Sequence, residues 1–600
     1  MFLDLDEAGY EAQVLEWLSG IGWTHVFGPE IAPNGLTPER ESFKDVILAE
    51  RLEDAISRIN PNLTKDVVRR VRQRIESPGE TDILKANQLI HQWVTQGMQE
   101  QVRHANGEET TELVLLIDFE NIDNNDWAAV NQFRAILDDH EMQEDLGNRV
   151  PDIVLFVNGI PLAVIELKNP SNSETTIHDA FNQLQTYKEQ IGRLFYYNVA
   201  LVIADGVEAK AGSLTADLER FMVWRSIDGQ ELDPHGEFGQ DQTLFEGLFA
   251  KSNILSILNN FCIFVPGVKP YKMFPGYHQF FAVEKAFKRA LQASAESGDG
   301  RGGLMWHTQG AGKSYEMACL AGMLATSKVL KNPTIVVVTD RNDLDQQLYE
   351  TFVDAKALMR QDPKKAGSRQ EIRELLDIPG GGVFFTTIQK FAIEDGEEEF
   401  PALTQRRNVF VFTDEAHRSQ YGFSARIAGD KFKVGYAQHM RDALPNATFV
   451  AFTGTPVAST DKDTRAVFGD EIDVYDMVQA NADGATVPIY YESRLVALEL
   501  PDDAKAELNE LAEELTEDAE DAQVASNLKA RWAALEQIVG AQPRLEQIAQ
   551  DIVTHFEARC SAPELEDGKA MVVAMSRHIA VDLFDEIIRI RPQWHDPDFR

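Results

Sequence analysis

Three residues in one short stretch, Asp152, Glu166 and Lys168, have the types and spacing for metal-dependent chemistry on a phosphodiester. They lie within residues 150–168, two β-rich runs joined by Asn158-Gly159, a strong hairpin signal. Asp152 opens the first run. Glu166 and Lys168 stand two apart on the second and so point to one face. A turn at 158–159 would bring all three together. Two carboxylates can hold a hard cation such as magnesium through oxygen. The cation acidifies a bound water and stabilises charge on a phosphate. Lys168 would position that water or neutralise the developing charge. A surface Glu–Lys pair on an edge strand is the plainer alternative, but the carboxylates sit in apolar runs, where uncompensated charge is costly. The next helical stretch carries Gln183 and Tyr187, four apart and so on one side. Glu11, in the first helical stretch, is a further carboxylate candidate that a solvated helix face explains nearly as well.

A second stretch, Trp306-His307-Thr308-Gln309-Gly310-Ala311-Gly312-Lys313-Ser314, follows a short apolar run and precedes a helical pattern over 315–324. Strand, glycine loop and helix together form a phosphate cradle: the glycines admit backbone N–H groups to phosphate oxygens, and the helix start adds positive dipole character. Thr308, Gly310 and Gly312 belong to that cradle; Lys313 would reach the β- and γ-phosphates of ATP and Ser314 would ligate magnesium. His307 stands where GxxxxGK(S/T) has its first glycine. Before the loop, Gln279 near the start of a helix over 277–291 is a candidate reader of adenine through its amide.

The elements that must position these groups follow from hydrophobic spacing. Helices are expected at 10–21, 45–59 and 66–75, strands at 113–119, 130–137 and 197–204, a loop and edge hairpin over 206–229, a joining loop at 229–247, and a helix at 248–261. After the cradle, four apolar strands end in polar signatures: Thr339-Asp340-Arg341, Thr386-Thr387-Ile388-Gln389, Thr413-Asp414-Glu415-Ala416-His417 and Thr453-Gly454-Thr455-Pro456. Helical stretches separate them, which predicts a doubly wound parallel α/β sheet with its ligands at the strands' C-terminal edge. Asp414 would hold magnesium through water and Glu415 would orient the attacking water; His417 and Thr453-Gly454-Thr455 could couple nucleotide state to a track. An acidic helical insertion is expected over 504–559, then a strand over 570–577.

Bulk properties narrow the class. Six hundred residues exceed one core and imply about four domains. With 44% hydrophobic and 26% charged residues the chain reads as an ordinary soluble protein, and no apolar run is long enough for a membrane span. The acidic start lacks a signal peptide's basic residues, and Cys262, Cys319 and Cys560 are scattered, which suits a reducing cytoplasm. A net charge of −40 fits an enzyme that confines nucleic-acid contacts to grooves.

The 150–168 hairpin resembles the PD-(D/E)xK nuclease core, and Gln183 with Tyr187 matches the QxxxY element found after it in several nucleases of that group. The ordered signatures from Trp306 to Pro456 resemble superfamily 2 helicases and translocases of the DEAH type. Together, nuclease before motor, the chain resembles the restriction (R) subunit of type I restriction–modification enzymes, whose pattern includes a histidine at the first position of the loop. That resemblance implies a PD-(D/E)xK endonuclease domain over 1–260, a first RecA-like motor domain over 261–475 and an incomplete second RecA-like domain with a helical insertion over 476–600. It implies an ATP- and magnesium-dependent endonuclease acting on double-stranded DNA beside methyltransferase (M) and specificity (S) subunits, since no methyltransferase glycine motif or target-recognition module is evident here. Alternatives are a standalone helicase–nuclease, a type III restriction subunit, whose nuclease usually follows the motor, and an ATP-gated DNA-binding or remodelling protein with a non-catalytic nuclease fold. No QxxGRxxR- or TGxD-like stretch follows Arg577, so the chain is expected to be a fragment that binds ATP weakly and hydrolyses it poorly.

Overall fold

The computed structural model describes residues 6–103, 109–136, 148–169, 176–233, 239–339, 342–378, 380–391, 402–414, 426–428, 431–433, 436–455, 465, 467–487, 489–493, 539–561 and 568–595. They form two compact units, Met1–Pro488 and Ile489–Arg600.

The first unit contains two large sheets. The N-terminal one has six strands in sequence order: β1 (Thr24–Phe27), β2 (Trp127–Asn131), β3 (Ile153–Val157), β4 (Ile160–Leu167), β5 (Ala200–Ala204) and β6 (Ala209–Gly212). It is mixed: β1–β2 and β4–β5 are parallel, the other neighbours antiparallel. The hairpin expected from Asn158-Gly159 is present. Both residues have positive φ, 51° and 76°, as a tight turn of this hand requires, and a Cβ on Gly159 would lie 2.4 Å from the Leu48 carbonyl oxygen. All residues of β3 and β4 are buried, which is why their sequences read as continuous apolar runs.

The second sheet has seven strands, all parallel: β7 (Arg301–His307), β8 (Thr334–Thr339), β9 (Lys364–Lys365), β10 (Val383–Thr387), β11 (Val409–Thr413), β12 (Thr448–Thr453) and β13 (Glu471–Tyr475), ordered β9-β10-β8-β11-β12-β7-β13. Alternate residues feed two cores. Met305, Val337, Phe412 and Phe452 pack into one, and Leu304, Val338, Val411 and Ala451 into the other. A parallel sheet buried on both faces puts its polar strand ends at one edge, which is where the sequence signatures fall.

Several expected elements differ. The strand expected at 113–119 is instead Glu109–Val114, paired with Met98–Arg103, and that at 130–137 is β2, broken after Asn131 where Gln132 turns to φ 52°. The strand at 197–204 begins only at Ala200, because the Asn87 amide holds the Phe195, Tyr196 and Asn198 carbonyls in a turn. The helix Ile83–Gln96, capped by the Asp82 carboxylate on the Lys85 N–H, was not expected. Part of the joining loop is the helix Gln240–Leu248, whose Leu244, Phe245 and Leu248 are buried.

In the second unit the helix Gln542–Cys560 packs on Arg577–Ile590 through Leu545, Ala549, Ile579 and Leu583. The strand expected at 570–577 is absent: this segment runs as irregular chain into the Arg577 helix, with Met571 and Val573 exposed. Strands exist by pairing, and no other strand occurs among the described residues of this unit. The remainder of the acidic stretch, 504–538, lies outside the described residues.

Candidate functional site

The hairpin builds the first site from its register. Ile153 faces Ile165, so Asp152 stands one step beyond the paired strands, beside Glu166. One Asp152 carboxylate oxygen accepts the Leu167 N–H at 2.7 Å. On the same face the Lys168 Nζ donates to a Glu166 oxygen at 2.8 Å and to the Gln183 Oε1 at 2.7 Å. The Gln183 amide in turn donates to the Tyr187 hydroxyl at 2.6 Å, and that hydroxyl donates to the Val150 carbonyl at 3.3 Å. The helix Ile177–Gln190 carries both residues and starts with a capping box between Thr176 and Asp179. Four of the sequence-predicted residues, Glu166, Lys168, Gln183 and Tyr187, are thus joined by hydrogen bonds with Asp152 beside them on the backbone of Leu167, and Glu166 is 1% exposed.

Burial is the main electrostatic fact of this site. It lifts the Asp152 carboxyl from 3.8 to about 7, against the pull of the Leu167 N–H and Lys168. It lifts Glu166 from 4.5 to about 8, helped by the charge of Asp152. The second Glu166 oxygen is buried and accepts no hydrogen bond. Two carboxyls strained in this way, one with an orphaned oxygen, are what a divalent cation would relieve, so the residues fit magnesium. Among the described residues no cluster of three or more His, Cys, Asp or Glu is gathered for a metal. Glu11 lies close enough to raise Asp152 further, but both its oxygens are taken by the Asn131 and Gln132 side-chain amides, each at 2.6 Å. Asn131 and Gln132 have no sequence signal beyond the end of a strand.

The second site lies at the C-terminal end of β7. Gly310 and Gly312 both have φ 90°, and Gly312 leads directly into the helix Lys313–Thr326. Side chains disfavour that conformation, and a Cβ on Gly312 would meet the Gln279 amide nitrogen at 2.3 Å. Lys313 rests on the loop itself, donating to the His307 and Thr308 carbonyls at 3.2 and 3.4 Å. Thr308 is anchored by its N–H to the Tyr475 carbonyl, and Ser314 is half-buried on the first helical turn. Gln279 reaches the loop as well: its amide donates to the Ala311 carbonyl at 2.8 Å and accepts the Gly276 N–H. Gly454 borders the cradle, since a Cβ there would lie 3.0 Å from the Lys313 Nζ. Asp414 directly follows β11, its N–H on the Val338 carbonyl. Glu415, His417, Pro456 and Asp340-Arg341 lie outside the described residues. The loop's open glycines, its lysine and the helix start fit a nucleotide phosphate chain.

What the sequence reading missed here is the underside of the loop. The fully buried His307 faces Glu316 and Asp473, and His278 stacks flat on Tyr475 with ring centroids 3.8 Å apart. The histidine in a glycine's place, with a glutamate nine residues on in the first helical turn, was the available signal.

Among the described residues no helix is long and apolar enough to cross a membrane. Comparison with known proteins adds independent findings. Residues 4–220 match the family model of the type I restriction enzyme R protein N terminus, and residues 278–525 match that of the SWI2/SNF2 ATPase. The type I restriction enzyme HindI endonuclease subunit of Haemophilus influenzae is 42% identical over 598 residues, 98% of this chain and 55% of that one. MjaIXP of Methanocaldococcus jannaschii is 36% identical over 599 residues, 96% of this chain and 54% of that one. The type I restriction enzyme SauCOLORF180P endonuclease subunit of Staphylococcus aureus is 29% identical over 315 residues, 51% of this chain and 30% of that one. The chain spans about half the length of the first two relatives. With both family models matched in this order and 42% identity to the HindI subunit, the chain is similar over nearly its whole length to type I restriction enzyme endonuclease subunits.

Proposed function

We propose that this chain is the nuclease-and-motor part of the R subunit of a type I restriction–modification complex, a cytoplasmic machine that moves double-stranded DNA by ATP turnover and cuts it with magnesium. The N-terminal sheet is read as a PD-(D/E)xK domain and the seven-stranded sheet as the first RecA-like domain. The observation that carries the nuclease half is the unbroken chain of contacts from Glu166 through Lys168 and Gln183 to Tyr187, set beside Asp152.

Asp152 and Glu166 would hold magnesium, which when bound supplies an acidified water and charge neutralisation at the scissile phosphate. The chain's own residues do the positioning. Two of the three Lys168 ammonium protons go to Glu166 and Gln183, which aims the third at the incoming water or a phosphate oxygen. Tyr187 fixes the Gln183 amide so that its oxygen, not its nitrogen, meets the lysine. In the motor, Lys313 exchanges the His307 and Thr308 carbonyls for the β- and γ-phosphates, while Ser314 and Asp414 would hold the nucleotide's magnesium and Glu415 would orient water. M and S subunits would supply site choice and methylation. With 97 acidic against 57 basic residues, DNA would run in grooves rather than over the outer surface.

The test uses the chain assembled with its partner subunits. Asp152→Ala and Lys168→Ala should each abolish magnesium-dependent cleavage while ATP-driven translocation persists; Lys313→Ala should abolish ATP-driven translocation while leaving the N-terminal fold intact by circular dichroism, and unimpaired translocation would refute the motor assignment. Cleavage that survives both nuclease changes would leave an ATP-gated DNA-binding protein with a structural hairpin.

A further inference from the structure

His307 closes β7, in register with Tyr475 of β13, and its side chain is wholly enclosed. Its Nδ1 lies 2.7 Å from a Glu316 oxygen on the first turn of the Lys313 helix. Its Nε2 lies 3.1 Å from an Asp473 oxygen on β13. The other Asp473 oxygen takes the Lys285 Nζ at 2.6 Å, from the helix Tyr277–Ser294. A neutral imidazole carries one N–H and one bare nitrogen, and an ionised carboxylate only accepts, so two carboxylates on opposite nitrogens call for two ring protons. We infer that His307, standing where such loops carry their first glycine, is a positioning residue for the nucleotide: a doubly protonated imidazolium that staples the strand before the phosphate loop to the helix after it and to the neighbouring strand β13. The inference rests on the ATP reading of that loop.

The placement explains why a histidine serves here. The first-position residue does not need positive φ; only Gly310 and Gly312 do. A side chain is therefore tolerated, provided it points inward and its polarity is matched. The two carboxylates match it, and they tie both ends of the five-residue span 308–312 to fixed points. Lys313, whose ammonium already leans on the His307 carbonyl, swings from a fixed base. The charged and titratable groups facing the ring are Glu316 from the helix after the loop, Asp473 and Tyr475 from β13, and Lys285 and His278 from the helix before it. Burial opposes a charge on the ring, but Glu316 and then Asp473 outweigh it and hold the proton up to about 9. His278, 5.9 Å away and buried beside this cation, is kept neutral, its own pKa lowered to about 3.

The experiment measures ATP affinity of the 600-residue chain by titration calorimetry between pH 7.5 and 9.5, beside two variants. His307→Ala leaves the buried Glu316 carboxylate without its partner and can cost the fold. The double variant H307Q/E316Q keeps a neutral hydrogen-bonded pair of similar shape, with Asp473 still held by Lys285. The unaltered chain should weaken about fourfold over this range, the share of imidazolium lost by a group of pKa about 9. The double variant should bind with little pH dependence, its dissociation constant at pH 7.5 raised several-fold and its kcat for any ATPase activity changed less than its KM. The same alkaline weakening in both proteins would overturn the inference, as would an unaltered chain whose affinity is flat. A chain that binds no ATP at pH 7.5, with Lys313→Ala indistinguishable from it, would instead refute the ATP reading and the inference with it.

Discussion

Replacing Asp152 by asparagine should stabilise the fold while destroying cleavage, and the size of the effect follows from the burial of that carboxyl. Asp152 is 8% exposed, and its pKa is raised from 3.8 to about 7, first by burial. A raised carboxyl binds its proton more tightly in the folded chain than in the unfolded one. Its stabilising contribution is therefore whole below pH 3.8, falls as pH rises and is gone above pH 7. A rise of this size corresponds to a loss of a few kcal/mol of stability at pH 8, on the order of 4, and to about half of that at pH 5.5. Asparagine keeps an oxygen for the Leu167 N–H and has no charge to bury. In EDTA, urea unfolding of the N-terminal sheet, followed by a buried-tryptophan signal, should show the variant ahead by a margin that grows from pH 5.5 to pH 8. Added magnesium should close the gap by stabilising the unaltered chain and not the variant. A variant that is equally or less stable at pH 8, or that gains as much from magnesium as its parent, would refute the reading of a charge held out of water for a metal. This is the familiar conflict between stability and activity at a preorganised site.

Other expectations follow from the same contacts. Tyr187→Phe removes the hydroxyl that holds the Gln183 amide, so Lys168 loses a fixed partner; cleavage should slow by about tenfold or more with magnesium affinity little changed, as a positioning loss predicts. Gly312→Ala forces a side chain to φ 90° and against the Gln279 amide; a cost of about 1–2 kcal/mol in stability should accompany an ATP affinity too weak to measure by calorimetry. Lys272→Met removes a buried ammonium that donates to the Asn198 carbonyl at 2.6 Å and to Asn87 at 3.1 Å. Unfolding in urea should show a loss of about 1–3 kcal/mol, the cost of leaving those acceptors unpaired; an unchanged midpoint would count against that account.

The nuclease-like site was legible because its geometry is local. A hairpin with a two-residue turn fixes which residue faces which, so Asp152, Glu166 and Lys168 could be placed from spacing alone, and a helix period placed Gln183 above Tyr187. The parallel sheet was legible for a related reason. Strands buried on both faces must be apolar throughout, so polar residues could only appear where they ended. Boundaries were read less well wherever a distant group decides them. Asn87, more than a hundred residues away, turns the chain at 195–198 and delays β5, and no pattern near that strand announces it. The stretch 570–577 failed in the opposite way: its apolar run has the composition of a strand, but composition cannot supply a neighbour to pair with.

The underside of the phosphate loop shows the limit most clearly. From the sequence, His307 could be set down as a departure from the glycine pattern, to be excused by family resemblance. Its role depends on Asp473, 166 residues on, and on Lys285, which reaches Asp473 from a third element. Those three meet only because β13 lies beside β7 at the sheet's edge, and strand order across a parallel sheet is not written in any local period. The same adjacency puts the Tyr475 carbonyl under the Thr308 N–H and the Tyr475 ring against His278. A single topological fact, the last strand returning to the side of the first, therefore turns an apparent irregularity of the loop into a point where four elements are tied. It also dictates which changes should be felt at the nucleotide: substitutions in β13, although they fall after the four polar strand-end signatures, act on the phosphate loop directly.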